Sequence, residues 1–333
     1  MSRFRSFVLL QLPLLTIAAL LITGALGQQN SPTGQSSPAG GSAPKTSSPT
    51  PAAPPKADPN ATAALNKAID ALDPKKLGYV ETKLWEQVDT MGLSFQATGV
   101  YLSAPKDRLR LEMNVHLGNT DSKLLVVSDG TWVWNEMKLG NDEPLLSKYD
   151  LREVQKNLNA PGTLPNIVED FYRSQSFRGV VPLLQTLSKQ MNFTRFESTT
   201  WNGKQVYKLT AVWSPDMSKA MTRSGQPWPV FTPRTCYVYL AKENNTPPYW
   251  PYRLEWWGPG LRQGDDALLM QMEFRDPKIS PPDKAMPGDY AGSFVFNPGK
   301  AKVSDVTSSF VEGIKAARNQ PAPTRSSGSS PTR

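Results

Sequence analysis

The sequence is poor in the side chains on which most enzymes and metal proteins depend. Its 333 residues include one cysteine, Cys236, and one histidine, His116. One cysteine cannot form an internal disulfide or a thiolate zinc site, and one histidine cannot build a multi-histidine metal centre. Nucleophile-elbow, phosphate-loop and zinc-protease motifs are missing as well. We therefore expect no enzyme activity, no cofactor and no bound metal.

The remaining candidates for chemistry have simpler interpretations. His116 lies on the polar face of a predicted strand end, which favours a solvated or hydrogen-bonded imidazole over a general base. Cys236 precedes a predicted strand and has no second histidine to activate it, so we interpret it as a small buried apolar residue. Asp265 and Asp266 could ligate calcium, but an isolated acidic pair is more typical of a turn.

Excess charge of one sign is confined to the ends of the chain. The formal net charge is +8, from 37 lysines and arginines and 29 acidic residues. Residues 1–64 carry +3 and residues 313–333 carry +4, which leaves the central part close to neutral. A nucleic-acid-binding face needs basic residues concentrated on one surface. We therefore expect no nucleic-acid partner.

The N-terminus has the pattern of an export signal. Arg3 and Arg5 precede a mostly apolar run at 7–22, and small residues up to Gly27 suit a signal peptidase. Residues 1–27 are therefore predicted to be a signal peptide, with an uncleaved anchor as the alternative. Cleavage would leave an exported protein, soluble in the periplasm or cell envelope.

Two segments contain almost no large apolar residues. Residues 28–60 are rich in proline, serine and alanine, and residues 319–333 are rich in serine, proline and arginine. Such segments cannot bury enough surface to offset the entropy of ordering. We predict a disordered linker and a disordered basic tail around one folded domain at 61–318.

Apolar spacing predicts helices at the start of the domain and in an insertion. Leu65, Ile69 and Leu72 recur at helical intervals, and Asp73 with Pro74 predicts the start of a second helix. That second helix would carry Leu77, Leu84, Trp85 and Val88. The insertion would hold a helix capped by Asp150 and ending near Leu158, a segment at 167–172, and an apolar stripe formed by Leu183, Leu184, Leu187 and Met191.

Strict alternation of apolar and polar residues predicts about nine to eleven antiparallel strands. The hairpin signal Asp129-Gly130 joins two of them, and Asn202-Gly203 joins two more. The predicted strands cover 93–101, 108–115, 123–128, 131–135, 193–199, 206–213, 235–241, 252–257, 268–275 and 294–296. No regular exchange of strands and helices is present, so a parallel sheet is not expected.

The strands carry an unusually large number of aromatic and methionine side chains. A sheet face as apolar as this must be covered by something. Two interpretations remain open: the helices fill this face as a core, or an apolar cavity accepts an acyl chain. The candidate cavity residues are Phe95, Tyr101, Leu109, Leu111, Met113, Trp132, Trp134, Tyr207, Trp213, Tyr237, Tyr239, Trp256, Met270, Met272 and Phe274.

Over most of its folded region the chain resembles the LolA-like superfamily of periplasmic lipoprotein carriers, which includes LolB-like and RseB-like proteins. The resemblance is carried by four segments in a characteristic order. They are the opening helix leading into Gly92-Leu93-Ser94-Phe95, the turn segment Gly99 to Pro105 before Arg108-Leu109-Arg110, the hairpin Ser128 to Trp134, and the ending Phe294 to Gly299.

The resemblance implies a β-rich α+β fold, an open antiparallel half-barrel covered by helices. It also implies a function, the sheltering of acyl chains of a lipid or a lipidated protein in the concave face. The alternative is an RseB-like sensor, a filled barrel that recognises a membrane-protein partner in the envelope. The oligomeric state does not follow from either.

In carriers of this type an arginine after the glycine-to-proline turn helps to hold the lid helices closed. Arg108 or Arg110 occupies the matching place in this sequence. The resemblance thus implies a lid that contains Leu183, Leu184, Leu187 and Met191 and is held by one of the two arginines.

Overall fold

A computed structural model describes the central part of the chain. It covers residues 55–90, 93–163, 179–221, 232–260, 265–281, 284, 290 and 292–319. The predicted signal peptide, most of the predicted linker, the predicted helical segment at 167–172 and nearly all of the basic tail lie outside the described residues.

Six helices are present in the described part of the chain. They are α1 (Pro59–Ala71), α2 (Pro74–Leu77), α3 (Leu151–Leu158), α4 (Val180–Gln190), α5 (Pro215–Met221) and α6 (Thr307–Arg318). Within the described residues, no helix has the length and apolar character needed to cross a membrane.

Twelve strands make up the rest of the regular structure. They are β1 (Tyr79–Thr90), β2 (Leu93–Ala104), β3 (Arg108–Leu117), β4 (Thr120–Asp129), β5 (Trp132–Lys138), β6 (Leu145–Asp150), β7 (Met191–Trp201), β8 (Lys204–Trp213), β9 (Thr235–Ala241), β10 (Pro251–Pro259), β11 (Asp266–Ser280) and β12 (Val303–Asp305).

The strands form one open sheet in the order β12-β6-β5-β4-β3-β2-β1-β11-β10-β9-β8-β7. Every pairing with a described register is antiparallel except that of β12 with β6. The predicted fold class, a β-rich open antiparallel sheet accompanied by helices, is confirmed. The predicted total of nine to eleven strands was slightly low.

The chain folds as two compact units, each assembled from separate stretches of sequence. Unit 1 consists of the described residues within 1–73, 86–94 and 180–274. Unit 2 consists of the described residues within 74–85, 95–179 and 275–333. The boundary falls inside β1, β2 and β11, so each of these three strands contributes residues to both units.

Unit 1 packs α1 and α4 on one face of β7 and its neighbours. Helix α1 buries Ala61, Leu65 and Ala68, and Asp58 caps its N-terminus. One carboxylate oxygen of Asp58 accepts from the backbone N–H of Asn60, and the other accepts from the N–H of Phe196 on β7 at 3.1 Å. The cap therefore also ties the helix to the sheet.

In unit 2, α3 and α6 pack on one face of the sheet, as α1 and α4 do in unit 1. Helix α3 begins at the predicted cap, since Asp150 accepts from the N–H of Glu153 at 3.0 Å. The two helices contact each other and β6. The Tyr149 ring on β6 meets Phe310 of α6 edge-on, with centroids 5.0 Å apart. An apolar sheet face is covered by helices in each unit.

The predicted second helix proved wrong beyond its first turn. Helix α2 ends at Leu77, Gly78 adopts a left-handed φ of 82°, and β1 follows. Val80, Leu84 and Val88 are four residues apart, a spacing that fits a helix and a strand equally well. The polar residues that complete the alternation are Thr82 and Glu86, both fully buried. Their polarity concealed the strand pattern.

The strand predicted at 294–296 is also wrong. Phe294 packs into a cluster with Leu102 and Ala104, and Phe296 lies 5.3 Å from the Trp134 ring. The segment is thus anchored by its rings instead of by a hydrogen-bonded ladder. Sequence reasoning missed β6, β12, α5 and α6.

The cap of α1 should contribute more to the free energy of unfolding than an ordinary helix cap. Asp58→Ala removes two helix-cap bonds and the bond to the sheet, so we expect a loss of about 2–3 kcal/mol in the free energy of unfolding by urea. Asp150→Ala, which removes the cap bond to Glu153, is the matched control and should cost about 1 kcal/mol. Equal losses would contradict the tie between α1 and β7.

Candidate functional site

The helix-covered apolar face of unit 1 holds several of the predicted cavity residues. The register pairs Trp256 with Cys236 and with Met270, and Leu254 with Met272. Directly paired residues lie on the same face of a sheet. Trp213, Trp256, Met270, Met272 and Phe274 are all buried, and Tyr207 lies half-buried where α1 meets β7 and β8. We call this surface the covered face.

Two of the predicted cavity residues lie on the opposite face of unit 1. Tyr237 pairs with Glu255, and Tyr239 pairs with Arg253. Both tyrosines therefore alternate with Cys236 and Val238 and turn away from the covered face. The sequence list had combined residues from the two faces of the sheet in unit 1.

The opposite face of unit 1 carries a polar network of paired charges, although the buried Oε1 of Gln271 on this face has no hydrogen-bond partner among the described residues. Arg253 bonds the carboxylates of Glu255 at 2.6 Å and Glu273 at 2.8 Å. The indole N–H of Trp257 donates to Glu255 at 2.9 Å. Burial, followed by the nearby charge of Glu255, raises the pKa of the Tyr239 phenol. These groups neutralise one another, so the network is structural in character.

Unit 2 shows the same separation of faces. Phe95, Tyr101, Leu109, Leu111 and Met113 are buried, and the register places Tyr101 opposite Leu111. Trp132 and Trp134 lie elsewhere: Trp134 pairs with Val127, which pairs with Arg110 on the other face. The ammonium of Lys148 sits 4.2 Å from the Trp132 ring and 5.2 Å from the Trp134 ring.

Both candidate lock arginines are bonded within unit 2. Arg108 donates to the carbonyl of Pro105 at 3.2 Å, and its guanidinium lies 6.0 Å from the centre of the Phe294 ring. Arg110 donates to the carbonyl of Ser293 at 3.3 Å and to Glu112 at 3.1 Å. These bonds hold the segment after β11. A role in closing a lid stays a prediction.

The predicted lid stripe lies mostly on α4. Leu183, Leu184 and Leu187 are buried at 2% exposure or less. Met191 is not a helical residue, because it begins β7 and pairs with Trp213. The stripe is packed as core in this conformation, and its movement as a lid stays a prediction.

The single histidine and the single cysteine have the surroundings expected from the sequence. The His116 ring nitrogen Nδ1 lies 2.7 Å from an Asp121 carboxylate oxygen, and both side chains are exposed. Cys236 is fully buried, and this burial, followed by the charge of Glu255, raises the pKa of its thiol. A thiol held protonated in this way is a poor nucleophile.

The most unusual group of the covered face is one that the sequence analysis missed. Glu86 is fully buried, and among the described residues neither of its carboxylate oxygens has a hydrogen-bond partner. The neighbouring Gln87 bonds Gln271 at 2.9 Å on the polar network's face, so Glu86 points to the covered face. Its position in the alternation of β1 is the signal that could have revealed it.

A second buried polar atom of the covered face also lacks a partner. The indole Nε1 of Trp256 is buried and has no hydrogen bond within the part of the chain that the structure describes. Burial alone raises the pKa of Glu86 to about 8, so its carboxyl is mostly neutral at pH 7. Native interiors leave few polar atoms unpaired, because each one costs on the order of 1–3 kcal/mol. Two such groups, unpaired within the described residues, leave hydrogen-bonding capacity on one apolar face.

A pocket lies beside the covered face where α1 meets β7 and β8. It has a volume of about 150 Å³. The helix side is formed by Asn60, Ala63, Ala64 and Lys67, and the sheet side by Phe196, Tyr207, Glu243 and Tyr249. The Phe196 and Tyr207 rings are 4.8 Å apart, and the Tyr207 and Tyr249 rings are stacked at 6.4 Å. Three rings thus form one continuous wall.

The pocket contains an ionised carboxylate. The hydroxyls of Tyr207 and Tyr249 donate to the two oxygens of Glu243 at 2.5 and 2.7 Å. These bonds, with a smaller contribution from the charge of Lys67, hold the pKa of Glu243 below its ordinary value. Correspondingly, the hydrogen bond to Glu243 raises the pKa of Tyr207 to about 12.

Among known proteins, the chain is similar to solved structures but to no family model or curated protein. No known family model matches the sequence, and no curated protein matches it. LprF from Mycobacterium bovis is 14% identical, with a TM-score of 0.34, over 68% of this chain and 99% of LprF. MucB is 10% identical, with a TM-score of 0.34, over 70% of this chain and 62% of MucB.

A DUF1329 family protein from Desulfovibrio piger is 8% identical, with a TM-score of 0.28, over 69% of this chain and 96% of that protein. Identities and TM-scores this low carry no argument about the family or the function of this chain.

The burial of Glu86 should appear as a pH dependence of stability. The folded-state pKa of about 8 lies above the unfolded value of 4.5, so the folded protein holds a proton that the unfolded chain releases between these values. The contribution of Glu86 is then fully present below pH 4.5 and is lost as pH rises towards 8. Its slope approaches about 1.4 kcal/mol per pH unit within that window.

Urea unfolding of the wild type and of Glu86→Gln at pH 5.5, 6.5 and 7.5 tests this expectation. The difference between the two proteins should shift with pH in favour of the variant, since glutamine does not titrate. Glu81→Gln is the control, because hydrogen bonds from Tyr290 and Lys278 lower the pKa of Glu81. A pH-independent difference for Glu86→Gln would show that this carboxyl is not desolvated.

Proposed function

We propose that this is an exported envelope protein that binds a lipid, or the lipid anchor of another protein, through the covered face of unit 1. The observation that carries the proposal is the unpaired carboxyl of Glu86 within that face. A ligand that is apolar along its length and polar at one point suits such a surface. Apolar chains gain about 0.8 kcal/mol for each buried methylene, and one polar group would satisfy Glu86.

The protonation state of Glu86 suits an ester or acid group of a lipid. A neutral carboxyl can donate a hydrogen bond to a carbonyl oxygen, which an ionised carboxylate cannot do. The unpaired indole N–H of Trp256 is a second donor on the same face. The two donors together favour an acyl carbonyl as the polar point of the ligand.

Entry of a lipid would require α1 and α4 to separate from the sheet. These helices contact β7, and the backbone N–H of Asp58 at the start of α1 donates to the Phe193 carbonyl at 2.8 Å, but the sheet ladder does not pass through either helix. Opening of the cover therefore costs packing energy but leaves the ladder between strands intact.

We also propose that the protein is a binding protein without catalytic activity. The titratable groups of the polar network are paired with one another, and the single thiol is buried and protonated. Among the described residues, no group of three or more acidic, cysteine or histidine side chains could hold a metal ion.

A second candidate function is an interaction module with a filled interior, comparable to the sensor alternative of the sequence analysis. The observation that favours it is the near-complete burial of Leu254, Trp256, Met272 and Phe274, each at 1% exposure or less. In this alternative the covered face is a permanent core, and a membrane-protein partner binds elsewhere.

A fluorescent fatty acid, cis-parinaric acid, distinguishes the two functions at pH 6.5. The lipid-binding proposal predicts saturable binding that is displaced by oleate. Glu86→Leu should weaken this binding about fivefold, which corresponds to one neutral hydrogen bond of about 1 kcal/mol.

Gln87→Leu is the matched control for this experiment. Gln87 is the neighbouring residue of β1, but it bonds Gln271 on the opposite face, so its replacement should leave the affinity unchanged. Absence of saturable binding would overturn the lipid-binding proposal and favour the filled module. Equal effects of the two variants would remove Glu86 from the site.

A further inference from the structure

We infer that the pocket between α1 and the aromatic wall binds a phosphorylated amino alcohol, the headgroup chemistry of an ethanolamine phospholipid. The inference rests on the proposed lipid binding only where it names a lipid headgroup as the source of the phosphorylated amino alcohol. The pocket itself is defined by Asn60, Lys67, Phe196, Tyr207, Glu243 and Tyr249, together with two alanines of α1.

The size of the pocket fits a headgroup and excludes a larger molecule. Pockets that hold drug-sized ligands have volumes of about 300 Å³ or more. The volume here is about 150 Å³, which is half of that lower bound. Ala63 and Ala64 leave the space open, because their side chains extend no further than Cβ. A ligand bound here would be a small polar fragment, alone or attached to a longer molecule outside.

The sheet side of the pocket suits an ammonium group. The Glu243 carboxylate is ionised and is held in position by two tyrosine hydroxyls. Beside it stand the rings of Phe196, Tyr207 and Tyr249. Aromatic faces next to a carboxylate attract organic cations. The Tyr207 ring already interacts with one ammonium, since Lys242, which does not line the pocket, places its Nζ 5.7 Å from the ring centre.

The helix side of the pocket suits an anion. Lys67 extends from α1, and it has no hydrogen bond or ion pair within the described part of the chain. Its charge nevertheless acts on Glu243. The opposite walls of the pocket thus carry opposite charges. A ligand with an ammonium at one end and a phosphate at the other complements both walls, whereas a simple cation or a simple anion would be repelled by one of them.

Calorimetric titrations of the whole protein test the inference with three probes: free phosphoethanolamine, dihexanoyl phosphatidylethanolamine, and dihexanoyl phosphatidylglycerol, which lacks the ammonium. We expect saturable binding of both ethanolamine compounds. Glu243→Gln should weaken the binding of both about tenfold and should not weaken the binding of phosphatidylglycerol, because its headgroup has no ammonium for the carboxylate to attract. Lys67→Gln should weaken all three probes, because all three contain the phosphate.

Glu197→Gln is the matched control. This acid lies on β7, is paired with Arg195 at 2.9 Å, and lies outside the pocket lining. The Glu197→Gln variant should bind every probe with the affinity of the wild type. Lack of saturable ethanolamine binding, or equal affinities for Glu243→Gln and Glu197→Gln, would overturn the inference.

The two ethanolamine probes identify the source of the group. Tighter binding of the lipid supports a membrane headgroup, and equal binding of the two probes supports a soluble phosphorylated amino alcohol at the same site. Glu86→Leu separates this site from the covered face, since it should leave the affinity for free phosphoethanolamine unchanged. Failure of acyl binding and failure of headgroup binding are therefore distinguishable.

Discussion

The requirement that an apolar sheet face be kept from water governs both units. Long strands present alternate residues to opposite faces, so one face of each unit is apolar along most of its length. Helices α1 and α4 cover it in unit 1, and α3 and α6 cover it in unit 2. In unit 1, Asp58 at the start of α1 is also bonded to β7, through its carboxylate to the N–H of Phe196 and through its backbone N–H to the carbonyl of Phe193. The strand ladder itself does not pass through the covering helices.

The two faces of unit 1 differ in how their buried ionisable groups are accommodated. On one face Arg253 pairs with Glu255 and Glu273, so each of these buried charges has a partner. On the covered face Glu86 has none, and its carboxyl avoids the cost of a buried charge by remaining protonated. The first arrangement stabilises structure. The second leaves hydrogen-bonding capacity in an apolar space, which is the property that a lipid-binding surface needs.

The pocket beside α1 places charged and aromatic side chains at the edge of the apolar cover. Its carboxylate, its lysine and its aromatic wall come from a helix, two strands and the segment between β9 and β10. An amphipathic ligand requires both kinds of surface, one for its chain and one for its head. Unit 1 supplies each of them from its own residues.

The sequence by itself determined the elements whose apolar pattern has a single interpretation. Strand β3, the hairpin at Asp129-Gly130 and helices α1, α3 and α4 were predicted correctly, because alternation, turn residues and caps act locally. Only the tertiary structure decided which face each strand presents, and it separated Tyr237 and Tyr239 from Trp256. It also revealed β1, Glu86 and the pocket, because burial and proximity depend on residues far apart in the chain. Glu86 and Glu243 are both glutamates in a strand-rich sequence, and only their surroundings make one neutral and the other charged.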